Sequence, residues 1–111
     1  MNVYDTANQL ERELRMLPEY IALKESREKI KDDPKAVELF EEFKKIQKEL
    51  DSKVMTGEIP SEEEQAKLSE IAKKVGENVI LSEMLSKEHV FGQIIQDVTG
   101  LIQAPLSELY R

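Results

Sequence analysis

The most regular hydrophobic pattern in the chain lies between residues 34 and 56. Apolar residues recur there at steps of three and four, which is the repeat of one face of a helix. These positions are Phe40, Phe43, Ile46, Leu50 and Val54. Asp33 is a preferred N-cap residue, and Pro34 suits the first helical position. The pattern predicts a helix over 34–56, and we expect the other helices to cover its apolar face.

A second helix is predicted directly after it, over 61–76. Gly57 suits a left-handed C-terminal cap, and Ser61 with Glu64 has the spacing of a capping box. Leu68, Ile71 and Val75 continue the helical repeat. Because so few residues connect the two helices, we expect an elongated antiparallel hairpin.

The remaining segments also predict helices. One runs from about residue 2 to 15, and another opens at Pro18 and ends near 31–33. A long C-terminal helix is predicted over 79–103, ending at Ala104–Pro105, with the final residues tucking back as a short turn. The sequence therefore predicts an all-α fold of about five helices, in which the hairpin packs with the N-terminal helices and the C-terminal helix. We predict a single domain over 1–111.

The C-terminal helix carries apolar residues over an arc of about 160°, wider than a helix covered on one side needs. It is either central in the bundle or in contact with a second subunit. Gly92 and Gly100 lie inside it, where a close approach of another helix or a kink would explain them. We predict a homodimer, with these residues as interface candidates: Met84, Phe91, Ile94, Ile95 and Val98 on this helix, and Met55 and Ile59 at the hairpin tip.

Charge and composition narrow the function classes. The net charge is −7, and lysine and arginine mostly alternate with glutamate, which disfavours nucleic-acid binding. Cysteine is absent, so the chain can form no disulfide and no thiolate metal site. No apolar run has the ~18–20 residues that span a bilayer, and the first residues do not resemble a signal peptide. We expect a cytoplasmic protein that does not bind membranes.

No catalytic, cofactor or metal residue is predicted. His89 is the single histidine, and it projects away from Phe91 toward solvent. Glu62, Glu63 and Glu64 are explained by the positive end of a helix dipole. A carboxylate-metal enzyme built on clustered glutamates is kept as an unlikely alternative, although no Glu-x-x-His spacing of helical di-iron proteins is present.

Four blocks of sequence, in order along the chain, carry a resemblance to a known family. They are Y-D-T-A-N-Q-L-E at 4–11, E-Y-I-A-L-K-E at 19–25, D-D-P-K-A-V-E-L-F-E-E-F at 32–43 and P-L-S-E-L-Y at 105–110. Together they resemble the YheA branch of the YlbF/YmcA family, and the D-P-x-A-x-x-L-F-x-x-F block is the most specific of the four.

The resemblance implies a small five-helix protein of Gram-positive bacteria, often dimeric and without known catalytic residues. It also implies partners of the YlbF/YmcA/YaaT type, whose complex affects competence, sporulation and biofilm formation and modulates RNA processing through ribonuclease Y. Because this chain has no cysteine, the iron–sulfur association of that complex does not carry over. We therefore predict a non-enzymatic interaction protein that self-associates. The alternative is an accessory factor in RNA processing or developmental regulation.

Overall fold

The computed structural model describes residues 2–110, and all of its regular secondary structure within that range is helical. The prediction of an all-α fold with five helices is confirmed. The helices are α1 (Val3–Met16), α2 (Pro18–Ile30), α3 (Pro34–Met55), α4 (Glu62–Glu77) and α5 (Val79–Glu108).

Side-chain caps fix where the helices begin. The Asn2 side chain accepts hydrogen bonds from the backbone N–H groups of Tyr4 and Asp5, and Asp33 does the same for the first turn of α3. Ser61 and Glu64 form the predicted capping box at α4. Each cap satisfies N–H groups that the first turn of a helix leaves without a partner. The helix starts could therefore be predicted to within a residue or two.

The end of α3 also follows the prediction. Gly57 adopts a left-handed backbone conformation with φ of 81°. The Glu58 N–H donates to the Lys53 carbonyl at 2.8 Å, and the Gly57 N–H donates to the Val54 carbonyl at 3.1 Å. This pair of bonds is the Schellman motif, which terminates a helix by satisfying its last carbonyl groups.

The predicted end of the C-terminal helix was wrong. Helix α5 continues through Pro105 to Glu108, and Leu106, Leu109 and Tyr110 are exposed rather than tucked back. Proline removes one intrahelical hydrogen bond, in this case the bond to the Leu101 carbonyl. Every residue from 99 to 110 is exposed, so water can hydrate that carbonyl.

The glycines of α5 do not mark a close approach within the chain. A Cβ added at Gly92 or Gly100 would meet no atom within 4 Å. The expectation that these glycines admit a neighbouring helix is therefore wrong for the single chain.

The chain divides into two compact units. Unit 1 contains residues 2–26 and 84–110, and unit 2 contains Arg27–Glu83. The prediction of a single domain is not tested by this division and stays a prediction.

Unit 2 holds most of the buried apolar residues. Helices α3 and α4 pack closely against each other, as the predicted hairpin requires. The buried apolar residues of this unit are Ile30, Ala36, Leu39, Leu50, Ile71, Val75 and Leu81. On α3 the buried face is rotated from the predicted one, because Ala36 and Leu39 are buried whereas Phe40 is half-buried and Val54 is exposed.

Two cationic side chains contact the half-buried ring of Phe40. The Arg27 guanidinium lies 5.5 Å from the Phe40 ring centroid, and the Lys44 ammonium lies 4.7 Å from it. Positive groups over the face of a ring are attracted by its quadrupole. Lys44 also pairs with Glu41 at 3.1 Å. The ring is therefore covered by charged side chains rather than by the apolar core.

Candidate protein interaction surfaces

The two units differ in how much of their apolar surface they bury. Of the eight buried apolar residues within 2–110, only Met84 lies in unit 1. Of the fifteen exposed large apolar side chains, eleven lie in unit 1. A compact unit with one buried apolar residue lacks the core that normally stabilises a domain. Unit 1 is therefore the first candidate for contact with another chain.

Helix α1 has a complete apolar seam that the chain buries only in part. Its members recur at alternating steps of four and three, the spacing by which helices pack side by side. They are Val3, Ala7, Leu10, Leu14 and the C-cap residue Leu17. No residue of α1 is buried, and Val3 is 73% exposed. Leu10, Leu14 and Leu17 are half-buried, and Val3 and Ala7 are exposed, so the seam is only partly covered within the chain.

The second half of α5 carries a comparable seam. Phe91, Ile95, Val98, Ile102 and Leu109 recur at steps of four, three, four and seven, and Leu106 extends the same face. The Phe91 ring packs on Tyr20 of α2, with 5.4 Å between the ring centroids, so this end of the seam is held within unit 1. Exposure increases toward the C-terminus, from 38% at Ile95 to 79% at Leu109.

A separate apolar surface lies at the α3–α4 hairpin in unit 2. Val54, Met55 and Ile59 are 64%, 88% and 89% exposed. We call these three residues the hairpin tip. They follow each other closely in sequence around Gly57, where the Schellman motif reverses the chain.

Most of the predicted interface residues have surface available. Met55 and Ile59 are exposed, Ile95 is partly exposed, and Phe91, Ile94 and Val98 are half-buried. Met84 is the exception, because it has no exposed surface. Met84 is therefore a core residue in this structure, and its prediction as an interface residue is corrected.

Sequence reasoning missed the two ends of the exposed surface in unit 1. The interface candidates predicted from the sequence did not include the seam of α1. They also left out Leu101 and Ile102, which lie within the predicted helix, and Leu106 and Leu109, which were expected to tuck back after Pro105. The alternating spacing of α1 was a usable signal. A five-member apolar seam on a helix without a matching buried partner indicates a surface that contacts another chain.

One ion pair ties the two helices of the hairpin together. The Lys53 ammonium donates to a carboxylate oxygen of Glu64, and the two side chains are 35% and 28% exposed. This hydrogen bond is the main reason that the pKa of Lys53 is raised. It is likewise the main reason that the pKa of Glu64 is lowered, with the backbone N–H of Ser61 adding to the effect. Glu64 thus serves both the cap of α4 and the closure of the hairpin.

The groove between α3 and α4 has a mixed polar lining. It has a volume of about 530 Å³. Glutamates and lysines line it on both helices, together with Ile46 and Ile71. Within residues 2–110, no group of three or more His, Asp or Glu side chains is arranged to hold a metal ion. His89 is exposed on α5.

The fold and its surfaces define a class: small five-helix proteins with unpaired apolar seams. The sequence profile described as "Control of competence regulator ComK, YlbF/YmcA" matches residues 3–107. The chain therefore belongs to the YlbF/YmcA family, which confirms the resemblance. No helix in the described part of the chain is long and apolar enough to cross a bilayer.

Relatives of the chain align over nearly its whole length. A UPF0342 protein of Streptococcus suis (strain 05ZYH33) is 41% identical over 108 residues, covering 97% of this chain and 96% of that protein. A UPF0342 protein of Limosilactobacillus fermentum is 38% identical over 111 residues, covering 100% and 92%. The structure of a "Protein of Unknown Function (DUF964) from Bacillus stearothermophilus" superposes with a TM-score of 0.87 at 26% identity, covering 98% and 96%.

Proposed function

We propose that the chain is a non-enzymatic interaction protein that self-associates through unit 1. The observation that carries this proposal is the uneven distribution of apolar surface. Unit 1 exposes eleven large apolar side chains and buries only Met84. A second copy would supply the missing half of the core, as in small homodimers whose folding and association are coupled.

The seams of α1 and α5 supply the surface for this contact. Burying a Val, Leu, Ile or Met side chain completely contributes roughly 1.5–3 kcal/mol. At about 25 cal/mol per Å², this energy corresponds to about 60–120 Å² of apolar surface removed from water. The side chains of Val3, Ile95, Ile102, Leu106 and Leu109 are 38–79% exposed. Together they offer about 200–400 Å² per chain, a large part of the roughly 500 Å² of apolar surface that each partner buries in a standard interface.

The test is the mass of the purified chain by light scattering at micromolar concentration. We expect twice the mass of one chain, and a melting temperature that rises with protein concentration. The double variant Ile102→Asp/Leu106→Asp should have the mass of a single chain, because charge would be buried at the seam. A wild-type protein that stays a single chain at 100 µM would refute the proposal.

A control variant separates loss of association from loss of folding. Val54→Asp adds one such negative charge on a residue that is 64% exposed in unit 2, so it should keep the wild-type mass. Helix content by circular dichroism is measured for all three proteins. If Val54→Asp also dissociates the protein, the contact does not lie on unit 1.

A second candidate function is an accessory role in regulation, because the matching family is described as controlling the competence regulator ComK. Partners of the YlbF/YmcA/YaaT type and a role in RNA processing belong to this proposal. Deletion of the gene in its native host should change the frequency of transformation. Wild-type protein should restore it, and the Ile102→Asp/Leu106→Asp variant should not. An unchanged frequency after deletion would count against this role.

The remaining predictions of function are part of the same proposal. Glu62 and Glu63 lie in the first turn of α4, where the helix dipole accounts for them without a catalytic role. A cytoplasmic location and the lack of nucleic-acid and membrane partners stay predictions from the sequence.

A further inference from the structure

The hairpin tip is an ordered apolar surface. Its backbone is fixed by the Schellman motif at Gly57 and by the capping box of Ser61 and Glu64. The Gln65 side-chain amide also donates to the Pro60 carbonyl at 3.2 Å. Val54, Met55 and Ile59 are therefore presented from a defined turn, although they are among the most exposed apolar side chains of unit 2. The self-association proposed through unit 1 does not account for them.

The segment that contains the tip carries most of the net charge of the protein. Residues 49–64 include six acidic side chains and one lysine, a net charge of −5 within a chain whose total is −7. The acidic residues are Glu49, Asp51, Glu58, Glu62, Glu63 and Glu64. The single lysine, Lys53, is already paired with Glu64. Lys53 also interacts electrostatically with Glu58 and Glu49, so a single cation is shared among several carboxylates and the segment keeps a net negative charge.

The negative charge around the hairpin tip favours some binding partners over others. Nucleic acid and anionic membranes are repelled by a surface of this sign. Two copies meeting tip to tip would bring like charges together, which is unfavourable. An apolar segment flanked by lysine or arginine satisfies both parts of the surface. Its apolar side chains cover the tip, and its cations meet the surrounding carboxylates.

We infer that the hairpin tip docks a partner protein through an apolar segment flanked by basic residues. The contact is separate from the self-association surface, which lies in unit 1. A dimer of the chain therefore contains two such tips. The apolar residues of the tip provide adhesion, and its carboxylates determine which partners are attracted and how fast they associate.

The test uses two fluorescein-labelled helical peptides of equal length, one built from leucine and lysine and the other from leucine and glutamate. Fluorescence anisotropy measures their binding to the full-length protein at low salt. We expect the Leu/Lys peptide to bind at least ten times more tightly than the Leu/Glu peptide. Met55→Ser/Ile59→Ser and Glu58→Lys/Glu62→Lys should each weaken binding of the Leu/Lys peptide at least tenfold.

Matched variants control for overall charge and for apolar surface elsewhere. Glu25→Lys/Glu28→Lys makes the same change in net charge on exposed residues of α2, and Val79→Ser removes an apolar side chain that is 78% exposed. Both controls should bind within twofold of the wild type. The proposal is overturned if the controls weaken binding as much as the tip variants. It is also overturned if the wild type does not bind the Leu/Lys peptide at 100 µM.

A measurement of mass separates this proposal from the self-association. Light scattering of Met55→Ser/Ile59→Ser should give the same mass as the wild type. If that variant has a different mass, the tip is a contact between copies of this chain, and docking of a basic partner segment is refuted. If the wild type is a single chain but the tip variants still lose peptide binding, the self-association fails and the docking proposal stands.

Discussion

Replacing Gly57 by alanine tests the turn on which the hairpin tip depends. The residue has a φ of 81°, and a Cβ added there meets no atom within 4 Å. The substitution therefore introduces no steric clash with the rest of the protein. Its effect comes from the left-handed backbone alone, which makes the expected magnitude simple to work out.

Two opposing terms determine that magnitude. Holding an L-residue in the left-handed conformation costs roughly 1–2 kcal/mol. The smaller conformational freedom of alanine in the unfolded chain offsets about 0.4–1 kcal/mol of this. We expect Gly57→Ala to lower the free energy of unfolding by about 0.8 kcal/mol, within a range of about 0–1.6 kcal/mol. Gly100→Ala is the matched control, since Gly100 lies inside α5 with open space beside it. It should raise the free energy of unfolding by up to about 1 kcal/mol.

Urea unfolding followed by circular dichroism measures both changes. Wild type, Gly57→Ala and Gly100→Ala are compared at one protein concentration, because association shifts the apparent stability. The dependence of the free energy on urea should be the same for all three. A Gly57→Ala protein that is more stable than the wild type would refute the reasoning about the turn. A strongly destabilised Gly100→Ala would place Gly100 against a neighbouring chain, contrary to the seam assigned here.

Two further predictions concern the core and the hairpin. Met84→Ala should lower the free energy of unfolding by about 2–5 kcal/mol, because the Met84 side chain has no exposed surface. Met55 is 88% exposed, so Met55→Ala should change the free energy of unfolding by less than about 0.5 kcal/mol. Equal effects of the two substitutions in urea unfolding would contradict the assigned core. Because the hydrogen bond from Lys53 lowers the pKa of Glu64 from its ordinary 4.5, the ionised pair stabilises the fold above pH 4.5, and this contribution is lost as the pH falls through the lower folded pKa. The difference in melting temperature between wild type and Glu64→Gln should therefore be constant from pH 6 to 9 and shrink toward pH 3. A difference that persists unchanged at pH 3 would show that the charge of Glu64 does not cause the stabilisation.

Local chemistry made the helices and their starts predictable. Asp33 before Pro34, and Ser61 three residues before Glu64, satisfy particular backbone groups of a first turn, so each signal depends on neighbouring residues alone. The same is true of Gly57, where the turn requires a backbone conformation that other residues adopt only with strain. These features are formed in the structure as the sequence predicts.

The features that sequence reasoning missed depend on packing or on solvent. Leu39 and Phe40 are adjacent in sequence and both apolar, but only Leu39 is buried. The Phe40 ring is covered by the cations of Arg27 and Lys44. The effect of Pro105 depends on whether the Leu101 carbonyl can reach water, which the sequence alone does not state. Met84 and Ile95 both lie in the broad apolar arc of α5, and only the fold separates a fully buried position from a partly exposed one.

The scarcity of buried apolar residues in unit 1 makes the oligomeric state of the protein depend on its concentration in the cell. If a second copy completes that unit, the fraction of paired chains depends on how many chains the cell makes. At low expression the exposed seams would mark solitary chains for proteolysis, and at high expression pairing would hide them. Gene dosage would then determine both the amount of the protein and the proportion of chains that are dimeric and resistant to proteolysis.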